Sequence, residues 1–160
     1  MIKSDFLNLT ALKKIGFKSF GKNIKISKTA IFLNPDLIEI RDNVRIDAYS
    51  VIVANHRKIL IGSYVHIGVG CYINGSFGVD LNNFVGLSAG TKLFSSSDDY
   101  SGNFMTNPTV PKQYTKPKNK KILIRKFVNI GANSIIMPGV EIGEGSVVGA
   151  FSFVPKTIKK

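Results

Sequence analysis

Cysteine, histidine and acidic residues are all scarce in this sequence of 160 residues, and each shortage narrows what the protein can be. The single cysteine, Cys71, has no partner for an intramolecular disulfide. No group of Cys, His and carboxylate residues has the spacing of metal ligands, so we predict no metal. The N-terminal sequence has no apolar run long enough for a signal peptide or a membrane span. We therefore expect a cytoplasmic protein without membrane insertion.

Positive charge is in excess, with 22 Lys and Arg against ten Asp and Glu and a formal net charge of +12. Because 44% of the residues are apolar, the chain can bury a core and is not a disordered polycation. The length suits one soluble domain. The charge favours a phosphate-bearing partner, which could be a nucleotide, a coenzyme, a nucleic acid or an anionic membrane surface.

Apolar residues, most of them aliphatic, recur every six positions. One array consists of Ile61, Ile67, Ile73, Val79 and Val85, with Thr91 in the same phase, and a second of Ile124, Ile130, Ile136, Ile142, Val148 and Val154. Shorter arrays precede them at Phe20, Ile26 and Phe32 and at Ile40, Ile46 and Ile52. Glycine often follows the repeated residue, and a small or β-branched residue such as Cys71 often lies four positions after it.

A period of six is neither the 3.6 of an α-helix nor the two of a long strand. It predicts an all-β parallel solenoid with three short strands per coil, in which the repeated side chains point inward and stack from coil to coil. About eighteen residues per coil give about five to six coils. Glycine would relieve crowding and strain at the corners, and Cys71 would pack inside. A sandwich of short strands is the alternative, but it has no reason to keep one phase.

The array divides residues 1–160, a single predicted domain, into four segments. Residues 1–19 form an N-terminal cap, with a short helix predicted over residues 4–14 and Ser4 as its N-cap. Residues 20–93 form the first coils, and residues 122–160 the last coils and a basic tail. Between them, residues 94–121 form a long inserted loop with three prolines, for which we predict no regular structure. Loops of this length are usually functional or disordered.

The hexad pattern over residues 20–158 resembles that of the hexapeptide-repeat acyltransferases, whose fold is a left-handed parallel β-helix. Residues 84–114 and 128–150 are similar to sugar O- and N-acetyltransferases of bacterial lipopolysaccharide or capsule biosynthesis. The insertion, with Asp98-Asp99 and the sequence TNPTVP, is most similar to the group that acetylates dTDP-4-amino-4,6-dideoxyglucose. The resemblance implies a homotrimer, acetyl-CoA as donor, a nucleotide-linked sugar as acceptor and active sites between subunits.

The inserted loop departs from one pattern of this family. Related galactoside and maltose acetyltransferases carry their catalytic histidine there, whereas this sequence has Asp98 and Asp99. A sugar hydroxyl needs a positioned base, but an amine with a pKa of about 8 has a neutral fraction ready to attack. We therefore predict an amino sugar as acceptor. Asp98, or alternatively Asp99, would orient the ammonium, accept its proton or hold a neighbouring hydroxyl; a solvated turn is the other interpretation.

Three further polar residues are candidates for the site. His66 precedes Ile67 and should project outward, either as a general base or as a hydrogen-bonded surface residue. The resemblance implies that Asn74 contacts substrate, where its amide could donate to an oxyanion or a sugar hydroxyl; an ordinary corner residue is the alternative. His56 lies in a short insertion and is interpreted as a loop residue.

The later coils supply the predicted coenzyme site. Gly131, Ala132, Gly149 and Ala150 would let the pantetheine arm lie against the backbone. The resemblance places Pro155 and Lys156 near the adenosine end, with Lys156 toward the 3′-phosphate. Many family members complete this pocket with a Gly-x-Pro-Ala-Lys element, and the sequence ends at Lys160 without it. The adenine contacts are therefore not predicted.

Seven basic residues and no acidic residue lie between Lys112 and Lys126. They could attract the phosphates of the coenzyme or of a nucleotide, or form a solvated face. The sequence therefore favours transfer of an acetyl group to the amine of a nucleotide-linked sugar, with O-acetylation of a saccharide as the alternative. A non-enzymatic solenoid that binds polyanions is less favoured, because aromatic residues do not alternate with the basic ones as in single-stranded nucleic-acid sites. We therefore predict no nucleic-acid partner.

Overall fold

The chain forms a parallel β-helix in a computed structural model that describes residues 5–159. Its first three coils contain β1 Ser19–Phe20, β2 Lys25–Ile26, β3 Ile31–Leu33, β4 Ile38–Ile40, β5 Arg45–Ile46, β6 Val51–Val53, β7 Ile59–Ile61, β8 His66–Ile67 and β9 Tyr72–Asn74. The fourth coil contains β10 Val79–Leu81, β11 Gly86–Leu87 and β12 Lys92–Phe94, followed by β13 Ser96–Ser97 and β14 Lys118–Asn119 outside the helix. The last two coils contain β15 Ile122–Ile124, β16 Asn129–Ile130, β17 Ile135–Ile136, β18 Glu141–Ile142, β19 Val147–Val148 and β20 Phe153–Val154.

Three parallel sheets of six strands form the walls of a triangular prism. Sheet 1 contains β1, β4, β7, β10, β15 and β18; sheet 2 contains β2, β5, β8, β11, β16 and β19; sheet 3 contains β3, β6, β9, β12, β17 and β20. We call the turns from sheet 1 to 2, from sheet 2 to 3 and from sheet 3 to the next coil the first, second and third corners. The described residues thus form six coils, and the parallel bridge from Ile142 to Ile158 begins a seventh. This confirms the predicted solenoid and slightly exceeds the predicted coil number.

The interior consists of columns of aliphatic side chains, which lie at the positions that the hexads predicted from Ile40 to Ile73 and from Ile124 to Val154. Ile61, Ile67 and Ile73 are fully buried, and each lies directly beside its counterpart in the neighbouring coils. Each such residue contributes about 1.5–3 kcal/mol through burial. Cys71 is buried in the same interior, and burial raises the pKa of its thiol to about 11. It therefore packs as a small apolar residue, as predicted.

The predicted phase is wrong after Ile73. The partners of Ile61, Ile67 and Ile73 in the next coil are Leu81, Leu87 and Leu93, not Val79, Val85 and Thr91. Two extra residues at the corner that follows Ile73 cause this slip. Val79, Val85 and Thr91 are nevertheless buried, because they occupy interior positions two residues before the columns. A run of aliphatic residues at both positions conceals the slip in the sequence.

All insertions that lengthen a coil lie at the third corner. The inward residues Ile52 and Ile61 on its two sides are nine residues apart, whereas Ile136 and Ile142 keep the six-residue spacing. The 94–121 loop leaves from the same corner. Contrary to the prediction of no regular structure, it contains the antiparallel pair of β13 and β14 and a 3-10 turn at Lys112–Tyr114. A second 3-10 turn of the same length, Pro35–Leu37, occupies this corner in an early coil.

The N-terminal helix, α1, covers Leu9–Ile15 rather than the predicted residues 4–14. Its N-cap is Asn8, whose Oδ1 accepts a hydrogen bond of 2.9 Å from the Ala11 amide, whereas the predicted cap Ser4 lies outside the described residues. Phe6 forms an antiparallel bridge with Ser27 instead of a helical turn. Leu12 on α1 is buried against the first coil, so the helix covers the open end of the core. No helix within residues 5–159 has the length and apolarity that crossing a bilayer requires.

Candidate active site

One column of residues at the second corner includes two of the predicted site residues, Gly131 and Gly149, and lies beside His66. It consists of the residues that directly follow the inward residue of sheet 2 in the second to sixth coils, namely Asp47, Gly68, Ser88, Gly131 and Gly149. Hydrogen bonds link consecutive levels, for example from the Ser88 amide to the Ile130 carbonyl at 2.9 Å and from the Gly131 amide to the Val148 carbonyl at 2.8 Å. We call these five residues the corner column. Its lower part, in the second to fourth coils, contains the polar side chains of Asp47 and Ser88. Its upper part, in the last two coils, contains only glycine.

His66 lies beside the lower part of the corner column and projects outward, as predicted. Its Nε2 is 2.8 Å from Oδ2 of Asp47, and the Arg45 Nε donates to the other Asp47 oxygen at 2.6 Å. Partial burial acts to raise the pKa of Asp47, but the hydrogen bonds from Arg45 and His66 outweigh it and hold this pKa below its ordinary value. Asp47 therefore fixes the orientation of the imidazole, which itself is about half exposed.

A shallow groove of about 310 Å³ runs along this part of the second corner. His66, Ser88 and Asn129 lie along it, together with the backbone of Gly68 and Gly86. Sequence reasoning missed Asp47 and Ser88. Their position in the repeat could have identified them, because both directly follow an inward aliphatic residue, at the position where glycine is common in this sequence.

The upper part of the corner column contains two predicted coenzyme residues, Gly131 and Gly149, each followed by a predicted alanine. Gly131-Ala132 and Gly149-Ala150 occupy consecutive coils, and the Phe151 amide donates to the Ala132 carbonyl at 2.8 Å. A Cβ on Gly131 would collide with the Ala150 backbone nitrogen, so this glycine is required by coil stacking. A Cβ on Gly149 would meet its nearest neighbour, the Ser152 hydroxyl, at 3.8 Å. Gly149 and Ala150 therefore leave an exposed strip of backbone without bulky side chains.

Pro155 and Lys156 follow β20 at the end of the last coil, and both are exposed. They lie beyond the third strand of that coil, on the far side of sheet 3 from the corner column. The Gly149 carbonyl already accepts from the Ser134 and Ser152 hydroxyls at 2.9 and 2.8 Å. What the strip at Gly149 and Ala150 offers a flat ligand such as a pantetheine arm is therefore a surface without bulky side chains.

Asp98 and Asp99 lie at the third corner, where the chain leaves β13. Both are half-buried, and their carboxylates have different partners: the Asn107 amide donates to Asp98 at 3.3 Å, and the Ser101 hydroxyl donates to Asp99 at 2.7 Å. Asp98 thus joins the start of the loop to the TNPTVP segment, whereas Asp99 closes a local turn. The two carboxylates are not interchangeable.

Asn74 also lies at the third corner, at the end of β9. Its Oδ1 accepts from the Ser76 amide at 3.3 Å and from the Ser76 hydroxyl at 2.8 Å, so the carbonyl end of its amide stabilises the corner. The donor end of this amide takes no part in these bonds. His56 packs against Phe77 at the same corner, with ring centroids 5.0 Å apart.

The structure thus divides the predicted residues between two corners of the prism. His66 and the glycine-alanine pairs lie at the second corner, whereas Asn74, Asp98 and Asp99 lie at the third, with sheet 3 between them. Within the described part of the chain, no group of three or more His, Cys, Asp and Glu residues is placed to hold a metal ion.

Comparison with known proteins identifies the architecture. Residues 121–156 match the family model of the bacterial transferase hexapeptide (six repeats). The dTDP-4-amino-4,6-dideoxy-D-glucose acyltransferase of Escherichia coli is 42% identical over 149 residues, which are 93% of this chain and 78% of that protein. The chain belongs to the hexapeptide-repeat acyltransferases. This hexapeptide-repeat acyltransferase has the left-handed parallel β-helix that the resemblance implied.

Solved structures extend the likeness over almost the whole acyltransferase. A variant of AntD, an N-acyltransferase from Bacillus cereus, in complex with dTDP-4-amino-4,6-dideoxyglucose and coenzyme A, gives a TM-score of 0.95 at 41% identity. The match covers 99% of this chain and 84% of that one. AntD in complex with dTDP and 3-hydroxybutyryl-CoA gives a TM-score of 0.94 at 42% identity, over 99% of this chain and 83% of that one.

A shorter match, of 40 residues at 52% identity, joins the acyltransferase to the galactoside O-acetyltransferase of Lactococcus lactis and covers 25% of this chain and 19% of that protein. The likeness to a saccharide O-acetyltransferase is therefore confined to a fraction of the fold.

Proposed function

We propose that this protein transfers an acyl group, in the first instance acetyl, from coenzyme A to the amine of a dTDP-linked amino sugar. The observation that carries the proposal is the near-complete likeness to AntD, whose complexes contain dTDP-4-amino-4,6-dideoxyglucose and coenzyme A. The absence of histidine from the inserted loop agrees with an amine acceptor, since the sequence has Asp98 and Asp99 there. The family resemblance of the sequence, rather than the likeness to AntD, suggests that the product serves bacterial lipopolysaccharide or capsule biosynthesis.

One sequence interval supports Asp98 as a site residue. Variants of AntD were solved with one serine or one aspartate substituted, and these two positions are ten residues apart in that protein. Ser88 and Asp98 are the only serine and aspartate with this interval and order in the present sequence. The interval favours Asp98 over Asp99 and adds Ser88, on the corner column, to the candidate site.

The reaction needs few groups from the protein. The neutral amine attacks the thioester carbonyl carbon, an N–C bond forms, the C–S bond breaks, and the sulfur leaves as a thiolate that takes up a proton. Asp98 accepts the proton that the amine loses, and a hydroxyl or amide donor such as Ser88 or Asn74 stabilises the oxyanion. The exposed strip at Gly149 and Ala150 holds the pantetheine arm, with Lys156 toward the 3′-phosphate.

We infer a homotrimer, and the division of the candidate site between two corners supports this inference. Asp98 and Ser88 lie on opposite sides of sheet 3, so one protomer does not bring both to a single cleft. In a ring of parallel prisms, the inserted loop of one subunit would meet the corner column of the next. We also infer a cytoplasmic location, because coenzyme A thioesters and nucleotide sugars are available there.

Thiol release tests the function. The protein is incubated with acetyl-CoA or 3-hydroxybutyryl-CoA and with dTDP-, UDP- and GDP-linked amino sugars, and each amine is paired with its hydroxyl analogue. We expect release with a dTDP-linked amine and none with its analogue. Turnover of the hydroxyl compound alone would instead support O-acylation, the second candidate, which the pairing of His66 with Asp47 beside Ser88 favours.

A further inference from the structure

A basic cleft lies at the third corner, on the side of sheet 1, and it is lined by none of the residues to which the proposed reaction assigns a role. Its volume is about 420 Å³. The cleft is lined by Arg57, Lys58, Phe77, Gly78, Asn119, Lys120 and Lys121, among which there are four basic residues and no acidic one. These residues come from three successive turns of the chain around the corner, so the fold rather than a local run assembles the charge.

Two of the four cations are neutralised by neighbouring carboxylates. The Lys58 ammonium is 3.2 Å from Glu39, and the Lys121 ammonium is 2.6 Å from Asp80. Across the part of the chain that the structure describes, Arg57 and Lys120 form no ion pair. The cleft therefore presents two uncompensated positive charges, from a guanidinium and an ammonium.

Backbone hydrogen bonds fix the main chain at Arg57 and Lys120, whose side chains are exposed. The amides of His56 and Arg57 donate to the Ser76 carbonyl at 2.9 and 3.1 Å, and the Lys120 amide donates to the Ser95 carbonyl at 2.9 Å. The Lys120 side chain covers Gly139, where even a Cβ would collide with it. Because these anchors are formed within the folded chain, little further backbone ordering is needed when an anion binds.

An aromatic pair stands next to the charges. The rings of His56 and Phe77 are 5.0 Å apart with an angle of 42° between their planes. The Phe77 amide donates to the Ser95 hydroxyl at 2.9 Å, which fixes this residue at the rim of the cleft. A planar base stacks on such a ring, while a guanidinium binds two oxygens of a phosphate.

We propose that this cleft binds the diphosphate of a nucleotide through Arg57 and Lys120, with Phe77 beside the nucleoside. The inference rests on the proposed function in one respect, because that function supplies two diphosphate ligands, the nucleotide sugar and coenzyme A. The volume suits one nucleotide unit, and a single aromatic pair does not form the repeated stacking platform that binds a nucleic-acid strand.

Calorimetry with dTDP, coenzyme A and inorganic pyrophosphate tests the site in the full-length protein. The variants are Arg57→Gln and Lys120→Gln, and the matched control is Lys14→Gln, an exposed lysine on α1. We expect the dissociation constant of pyrophosphate to rise about tenfold in each variant and not in the control, in line with the loss of one charge-assisted hydrogen bond. The same rise in the dissociation constant of dTDP would identify the nucleotide sugar, the acceptor, as the ligand. The same rise for coenzyme A would identify the donor. Thermal melts show whether each variant folds.

Unchanged affinity for all three probes in folded variants would overturn the site. So would salt-sensitive binding of a DNA oligonucleotide that the variants lose while dTDP and coenzyme A still bind. Failure of the proposed function gives a different result. If the wild-type protein binds dTDP through Arg57 but transfers no acyl group, the proposed nucleotide site is supported and the proposed reaction is rejected. If the Arg57→Gln and Lys120→Gln variants transfer the acyl group with unchanged KM for both substrates, the proposed nucleotide site is rejected and the proposed function stands.

Discussion

The His66 Nε2 lies 2.8 Å from the Asp47 Oδ2, and the two residues occupy the same edge of sheet 2 in consecutive coils. Asp47 also accepts from Arg45, so its carboxylate joins two half-exposed donors in a small polar network. An imidazole oriented in this way beside Ser88 is what an O-acyltransferase would use as a base. The effect of replacing His66 on kcat therefore distinguishes N-acylation from O-acylation.

We expect His66→Gln to lower kcat for the amino sugar by less than about tenfold, because the amine has a neutral fraction that needs no histidine as base. Steady-state kinetics with saturating acetyl-CoA measure the effect. A fall of more than about a hundredfold, as removal of a general base produces, would favour O-acylation and contradict the amine mechanism.

Asp98→Asn is expected to lower kcat by about a hundredfold or more, since the carboxylate that accepts the ammonium proton is lost. Asp99→Asn serves as the matched control, because it changes the adjacent carboxylate, which bonds the Ser101 hydroxyl in a local turn. We expect it to lower kcat by less than about tenfold. A reversed order would assign the role to Asp99, and equal small effects would leave both residues as turn formers.

The low pKa of Asp47 gives the stability of the protein a pH dependence. Because this pKa is lower in the folded protein than in the unfolded chain, Asp47 stabilises the fold above the ordinary pKa of about 4, and this contribution is lost as the pH falls through the lowered value.

Asp47→Asn should reduce the free energy of unfolding near neutral pH by at most about 1 kcal/mol, since both hydrogen-bond donors are half exposed. Urea melts between pH 7 and 3 should show the difference from wild type shrinking at the acid end. Asp36→Asn, at an exposed carboxylate of a 3-10 turn, controls for the loss of one negative charge. A difference for Asp47→Asn that stays constant down to pH 3 would contradict the network.

Substitutions at two glycines of the corner column would distinguish an effect on folding from an effect on coenzyme binding. Gly131→Ala places a methyl group against the Ala150 backbone and should destabilise the protein by about 1–3 kcal/mol. Gly149→Ala meets no atom closer than 3.8 Å, so its melting temperature should match wild type. If the pantetheine arm lies on this strip, Gly149→Ala raises the KM for acetyl-CoA severalfold. An unchanged KM would place the coenzyme elsewhere.

The hexads were sufficient to predict the architecture, because an interior column tolerates only apolar side chains at each level. They did not reveal the slip after Ile73, since Val79 and Leu81 are both buried and both fit the pattern. The start of α1 was missed for a related reason: Phe6 has helical spacing to Leu9, but it pairs with Ser27. The periodicity predicts which residues are buried, but it does not predict which residues of neighbouring strands are paired.

The candidate site could be predicted only in part. Asp98, His66 and the glycines are visible as unusual residues at marked positions of the repeat or the loop. Asp47 becomes meaningful only when the coils are stacked, because its partner His66 is nineteen residues away. The basic cleft combines Arg57 with Lys120 from a distant part of the sequence. Contacts between coils depend on register, which a single sequence does not give.

N-acyl transfer is tested most directly by measuring kcat/KM for a dTDP-linked 4-amino sugar and for its 4-hydroxy counterpart, with acetyl-CoA as donor and the product identified by mass spectrometry. We expect an N-acetylated product and a kcat/KM for the amine at least about a thousandfold above that for the alcohol. Comparable values for the two acceptors, or an O-acetylated product alone, would show that the protein is not an N-acyltransferase of this kind.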